Sequence, residues 1–518
     1  MTRKGRVLLN SASGVALFAV NMVVAFVMSP IMVHTLGNRT YGEWELIVAL
    51  AGYLGMLELG VGSALVCYVA DAWSREDRAT LDRIFNTGFF SLLGAGLIGF
   101  FIMLIGALWP SRFFHLTATE RHELIPVLII FGTNVACYLP RITLSAYLLG
   151  LQAHRVVNSI VVMVTLAATV AVYYILTSGM KDPMIWMALS VLGGTILQII
   201  LMFLWIALVD RKVRIRISSF SFGTMKQLVG FGVKNAAIAA SVGSLEKVIN
   251  VAIALSVGVA QVVFFAIPSR LMDYARALVA QVASPMMPYY ADLAGRGDLA
   301  LVREASLQTA RILQVVSLGA PFGIAILGAP FIRVWIGPQY AEHGRWIIYI
   351  LSVGLFFQGA AATRERLLVS MGRHGRLALL SSVLAPVCLG LSFVLGWLWG
   401  LNGIAIAVTG YAIGLAVSEI TLTCWALEMS PYTYLRATVM RFLLPISVMS
   451  GVLIGLRQIA YPGSYLQLVV YALLGGSAYL LSAWFIALEP GERAFVARML
   501  RSSRSRDAVD LPRRLEHE

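Results

Sequence analysis

Apolar and polar positions in this chain segregate into long blocks. Runs of about twenty or more apolar residues fill it almost end to end, with short polar connections between them. The pattern predicts about fourteen helices, near 7–35, 44–70, 85–109, 124–148, 157–177, 184–208, 228–254, 261–288, 306–332, 345–371, 377–400, 403–427, 437–460 and 465–488. Strict alternation is missing, which excludes a transmembrane barrel built from short dyad-patterned strands. In lipid the backbone must satisfy its own polar groups, so such runs must coil into helices. The expected fold class is an all-α polytopic membrane protein.

Composition sharpens this expectation. Hydrophobic residues make up 59% of the chain and charged residues 13%, against about 25% charged in a soluble domain. No connection is long enough for a soluble catalytic domain. Cys67, Cys137, Cys388 and Cys424 all sit in apolar runs without a CxxC pair, so they read as small apolar filler. His115 and His122 lack metal-site spacing, and no GxxxxGK[ST] sequence exists for a nucleotide. No metal, cofactor or enzymatic chemistry is expected. The apolar run to about position 35 exceeds a signal-peptide core and reads as a retained helix.

The net charge is +14, and it is spread unevenly. With the N-terminus cytoplasmic, the inner connections carry Arg75/Arg78/Arg83, Arg155, Arg211/Lys212/Arg214/Arg216/Lys226, Arg296/Arg303, Arg373/Arg376 and Arg436/Arg441, then a basic tail. The outer side carries only Arg39, Arg112, Arg121, Lys181, Arg333 and Arg345. This imbalance predicts both termini inside and an even helix count. The basic face suits anionic lipid heads. With no basic soluble module, no nucleic-acid partner is expected.

An internal repeat is suggested by "YLLGLQAHRVVNSI" and "RLLVSMGRHGRLALL", and by "HTLG" and "LSVG", at a shared offset. It divides the chain into two pseudo-symmetric six-helix bundles, 1–216 and 217–436, with two additional helices over 437–488 and a basic tail over 489–518.

Charges inside apolar helices carry the candidate chemistry, because each costs about 2.5–3.5 kcal/mol at a helix centre. The fourth helix places Asn134, Tyr138, Arg141 and Ser145 on one stripe, either an interhelical seam or a hydrated wall. The first helix carries Asn21 on a face with Asn10 and Gly14. The seventh carries Lys234, Glu246 and Lys247, and the eighth Arg270, Asp273, Tyr274 and Arg276. A local Arg270–Asp273 pair is the bland reading of the eighth helix. Arg364, Glu365, Arg366 and Glu419 lie near the inner helix ends, where snorkelling is expected. The basic excess suits an anionic ligand, above all a phosphate. Arg141, Arg270, Lys234 and Lys247, with Asn134, Tyr138, Asn21 and Tyr274, are the candidate headgroup site. Glu58, Asp273 and Glu246 are the candidate carboxylates for ion coupling.

Several segments resemble those of bacterial polysaccharide-unit flippases. They are "LGNRTYGEWELIVALAGYLGMLELGVGSALVCYVA", "MPYYADLAGRGDLALVREASLQTARILQVV", "FIRVWIGPQY" and "GLNGIAIAVTGYAIGL". Each is weak alone; their order and spacing over about 8–427 make the likeness. Glu58 and Gly60 fall where that family shows an acidic residue and a glycine, although the expected acid is aspartate. The family lies in the multidrug/oligosaccharidyl-lipid/polysaccharide transporter superfamily. The resemblance implies two six-helix bundles around a central cavity, with two further helices. It also implies alternating-access transfer of an undecaprenyl-pyrophosphate-linked glycan to the periplasmic leaflet of the bacterial inner membrane, for O-antigen, capsule or exopolysaccharide. Proton or sodium coupling, and partnership with a polysaccharide polymerase and chain-length machinery, would go with it. The alternatives are an ion-coupled drug or metabolite exporter of the same superfamily and a membrane-embedded ligase or polymerase, which the short outer loops disfavour.

Overall fold

The computed structural model describes residues 3–108, 118–210, 213–283, 286–295, 298–494 and 497. Among them every regular element is helical: α1 (Arg3–Leu54), α2 (Val61–Ser74), α3 (Arg78–Leu108), α4 (Ala118–Gly150), α5 (His154–Thr177), α6 (Pro183–Val209), α7 (Phe222–Ser256), α8 (Val262–Ala283), α9 (Met286–Gly295), α10 (Leu299–Ser317), α11 (Gly319–Trp335), α12 (Pro338–Gln358), α13 (Ala361–Ser370), α14 (His374–Ala426), α15 (Pro431–Thr438), α16 (Leu443–Ile459) and α17 (Tyr465–Ser482). Ten helical stretches are long and apolar enough to cross a membrane. Large apolar side chains such as Leu208 (73% exposed) and Trp397 (81% exposed) point outward, as lipid solvent requires.

Two of the ten stretches, 46 and 52 residues long, are about twice what one crossing needs. Each breaks at a glycine with positive φ: Gly37 in α1 and Gly400 in α14. At Gly400 the chain doubles back. A Cβ on Gly403 would lie 2.0 Å from the Leu395 carbonyl oxygen, so this turn admits nothing larger than glycine.

The second predicted helix, 44–70, is corrected by the structure. It is interrupted by a 3-10 turn, Gly55–Glu58, followed by Leu59 and Gly60 with φ of 48° and 71°. Hydropathy could not reveal this, since Leu, Gly and Met stay apolar in any backbone conformation. The tenth predicted helix likewise divides into α12 and α13 at Gly359.

Backbone marks recur along the chain. Gly37 and Gly258 both combine positive φ with extended ψ. Asp77 and Asp298 cap the helices that follow them, accepting from the backbone N–H of Thr80 and of Ala300 and Leu301. Gln152 and Gly372 close helices through the same left-handed hydrogen-bond pattern. Gly179 and Gly400 both take positive φ between helices. Each pair is separated by 220 or 221 positions.

Contacts divide the chain into two compact units: Met1–Ala266 with Ala385–Ile404, and Ile267–Leu384 with Ala405–Glu518. The first has a continuous core in which Leu65, Phe85, Leu128 and Tyr147 are almost fully covered. Its 213–221 segment is pinned to α3 by Asn86, which is fully buried. The Asn86 amide donates to the Arg214 carbonyl (3.0 Å) and accepts from the Arg216 N–H (2.6 Å). Asp210 closes the clasp with Arg78 and the Tyr147 hydroxyl. In the second unit, α16 and α17 pack on α10 and α11: Phe442, Met449, Leu453 and Tyr479 form one cluster with Leu318. The Tyr479 hydroxyl donates to the Gln314 carbonyl at 2.9 Å.

Candidate functional site

The break after α1 places the first polar cluster. At Gly60 a Cβ would sit 2.3 Å from the Gly232 carbonyl oxygen, so α2 and α7 approach backbone to backbone through two glycines. That approach, with the left-handed pair Leu59–Gly60, breaks the helical path directly after Glu58, the last residue of the 3-10 turn. The turn lies against α4. A Cβ on Gly55 would meet the Tyr138 ring at 3.7 Å, and one on Gly62 would meet Ile142 at 2.8 Å and the Glu58 carboxylate at 3.5 Å. Arg141 holds its guanidinium carbon 4.8 Å from the Tyr138 ring centroid. Glu58 and Tyr138 both lie within its electrostatic reach. The sequence-predicted Glu58, Tyr138 and Arg141 are therefore one group: a carboxylate, a guanidinium and a phenol at a mid-helix break. Pro140 removes a backbone donor one residue before Arg141, loosening α4 there.

The other stripe residues separate. The Asn134 side-chain oxygen accepts from the Thr195 hydroxyl at 2.7 Å, a seam between α4 and α6. Ser145 donates to the Ile142 carbonyl of its own helix. Asn21 is exposed on α1. Thr195 was missed from sequence because a hydroxyl in an apolar helix ordinarily bonds its own backbone.

On α8 the Arg270–Asp273 pair is corrected: Asp273 pairs with Arg276. Both spacings share a helix face, so sequence could not choose between the two arginines. Arg270 and Tyr274 are partly buried. The side chains of Lys234, Glu246 and Lys247 lie outside the described residues.

Snorkelling of Arg364 and Glu419 is also corrected. They form an ion pair of 3.0 Å with side chains 3% and 4% exposed. Arg364 also donates to the Gln358 carbonyl at 3.1 Å, satisfying the end of α12 where Gly359 breaks it. A second buried pair, Arg311 with Glu492, fastens the segment after α17 to α10. Neither pair is visible in sequence, because partners 55 and 181 positions apart meet only through tertiary packing. Among the described residues no group of three or more His, Cys, Asp or Glu side chains forms a metal site.

The fold has counterparts among solved membrane transporters. The structure of the lipid II flippase MurJ in an inward closed conformation superposes with a TM-score of 0.70 at 13% identity, covering 92% of this chain and 98% of its own. An inward-facing multidrug resistance MATE family transporter of the MOP superfamily superposes with a TM-score of 0.65 at 15% identity, covering 80% and 95%. A MOP superfamily transporter from Pyrococcus furiosus does so at 0.54 and 15%, covering 82% and 95%. The fold is shared with these transporters. Residues 55–344 match the model of the polysaccharide biosynthesis protein family, more than half of the chain, and the chain belongs to that family. No curated protein sequence matches it significantly.

Proposed function

We propose that this protein is a flippase that carries an undecaprenyl-pyrophosphate-linked oligosaccharide from the cytoplasmic to the periplasmic leaflet of a bacterial inner membrane, without enzymatic chemistry. The observation that carries the reading is the break at Gly55–Gly60, which gathers Glu58, Tyr138 and Arg141 inside an apolar helix bundle. Discontinuous helices are where transporters present polar groups to a substrate, since irregular backbone at membrane depth needs protein or a water-filled cavity around it. Membership of a polysaccharide biosynthesis family and the likeness of fold to a lipid II flippase support a lipid-linked saccharide as the cargo. This reading places both termini in the cytoplasm, which the basic connections support. The ten apolar stretches, with the two double-length ones counted as two crossings each and α7 and α8 added, fit fourteen crossings.

In this reading Arg141 contacts the pyrophosphate and Tyr138 orients the guanidinium. Glu58 lies within electrostatic reach of Arg141; an anion arriving at Arg141 raises the negative potential at the carboxylate, which then takes up a proton or sodium ion. Arg270 and Tyr274, with Lys234 and Lys247, supply further contacts, and Asp273 and Glu246 are secondary carboxylates.

Reconstituted vesicles loaded with a fluorescent undecaprenyl-pyrophosphate saccharide test this reading. Wild-type protein is expected to expose the label to an outer-leaflet quencher, and Arg141→Ala to slow exposure strongly at equal protein level. Equal rates in the two would overturn it. The drug-exporter reading, which the MATE-like fold also accommodates, predicts efflux of small cations and no lipid transfer in the same vesicles.

A further inference from the structure

A second polar site lies far along the chain from the Glu58 cluster, wholly within the second unit. Three guanidiniums converge on a cavity of about 190 Å³. Arg333 and Arg457 occupy the last turns of α11 and α16, and Arg345 lies near the start of α12. Their side chains are ordered by aromatic rings. The Arg333 and Arg457 guanidinium carbons lie 5.6 and 5.5 Å from the Tyr461 ring centroid, and that of Arg345 lies 5.9 Å from Tyr349. The Tyr349 hydroxyl stands beside both Arg345 and Arg457. Arg457 also donates to the Ile326 carbonyl at 3.2 Å.

Their charge is not balanced. Among the described residues none of the three arginines has a carboxylate within 4.0 Å, and Glu342 is the one acid on the cavity wall. Capping of helix C-termini accounts for part of the arrangement. Two helix ends supply about half a negative charge each, while the N-terminus of α12 contributes the opposite sign. The cavity therefore keeps an excess of positive charge.

Its depth is also informative. Tyr461 lines it, and Trp346, next in sequence to Arg345, is exposed; such aromatic side chains are enriched at the headgroup level. It lies at the end of the α10–α11 segment opposite Arg303. We propose that this cavity binds the phosphate of a membrane lipid at the membrane face opposite Arg303. Guanidinium forks on three elements can grip a tetrahedral oxyanion from three directions, which a single-sided surface patch does not do. Two lipids present that group: an anionic phospholipid, or the polyprenyl carrier of the proposed cargo. The second source rests on the flippase reading; the binding site itself does not.

The test is native mass spectrometry of the full-length protein in neutral detergent with phosphatidylglycerol, undecaprenyl phosphate or phosphatidylcholine. Wild-type protein is expected to retain at least one of the two anionic lipids about tenfold better than phosphatidylcholine, and the Arg333→Gln/Arg345→Gln/Arg457→Gln variant to lose that preference. Thermal unfolding without lipid checks the fold of the variant. Should the triple change prevent folding, Arg345→Gln alone, at an exposed position, must lower retention, and Arg345→Lys must recover less than arginine. Preference for phosphatidylglycerol assigns an ordinary lipid site, and preference for undecaprenyl phosphate assigns a cargo site. Equal retention by wild type and variants overturns the proposal. Because binding is read without transport, an inactive flippase that still binds leaves this site standing.

Discussion

At the scale of single residues, the buried charges set the energetics. Arg364 and Glu419 are nearly inaccessible, and each is tolerable only beside the other. Glu419→Ala leaves a buried guanidinium and should cost about 3–5 kcal/mol, while Arg364→Met combined with Glu419→Leu should be much milder. Thermal unfolding in detergent checks this order; a double variant as unstable as the single would remove the pair from the account. The same logic separates this pair from Glu58 and Arg141. There Tyr138 is 38% exposed and Arg141 is only partly buried, so neither is sealed in the packed interior. Lysine at position 141 should restore less transport than arginine if a bidentate phosphate contact matters. A titration belongs here too. Glu489 lies outside the membrane-spanning stretches, and its carboxylate is held below the ordinary carboxylate range by the Arg441 hydrogen bond and by Arg311. A depressed native pKa contributes stability that is complete above the ordinary value and lost as pH falls through the native one. Amide protection of 489–494 should therefore hold at neutral pH and fall in acid. Glu489→Gln should flatten that dependence, as hydrogen exchange corrected for intrinsic rates would report.

At the scale of elements, glycine decides where helices break and approach. Gly230 and Gly232 sit two residues apart on α7 but face different surroundings. A Cβ on Gly230 meets nothing within 4 Å, whereas one on Gly232 falls 2.6 Å from the Leu59 carbonyl oxygen. Gly230→Ala should be neutral or stabilise by up to about 1 kcal/mol through helix propensity. Gly232→Ala and Gly60→Ala should lower the unfolding temperature and impair transport together, since both force α2 and α7 apart. Equal effects at 230 and 232 would show that the close approach is unimportant. Arginines do comparable work at helix ends. Arg303 donates to the Leu427 carbonyl at 2.9 and 2.6 Å, and Arg373 to that of Ala426 at 3.1 Å, so both close the C-terminus of α14. Residues read in sequence as topology signals are thus structural caps as well.

At the scale of the whole molecule, the proposed fourteen-crossing path makes a concrete prediction. Single cysteines placed near 40, 180, 340 and 462 in a background lacking Cys67, Cys137, Cys388 and Cys424 should react with an impermeant maleimide added outside intact cells. Cysteines near 75, 155, 303 and 373 should react only after permeabilisation. Labelling from outside at most of the second set would overturn the orientation. The recurring marks at 220 or 221 positions give the path an internal check, because matched positions such as Gln152 and Gly372 should label from the same side.

The sequence by itself determined the class of molecule. Apolar runs of bilayer length admit only helices, because lipid offers the backbone no partners, and the family resemblance rested on motifs readable by eye. It also placed Glu58, Tyr138 and Arg141 among the candidates, since charge in an apolar run stands out against its surroundings. Tertiary structure alone decided which of those charges meet. Asp273 chose Arg276 over Arg270, Arg364 turned inward to Glu419, and Arg333, Arg345 and Arg457 converged from three elements. Pairing depends on rotamers and on helices distant in sequence, and neither leaves a periodic trace. The break at Gly60 belongs to the same class: it exists because a second backbone, at Gly232, lies against it.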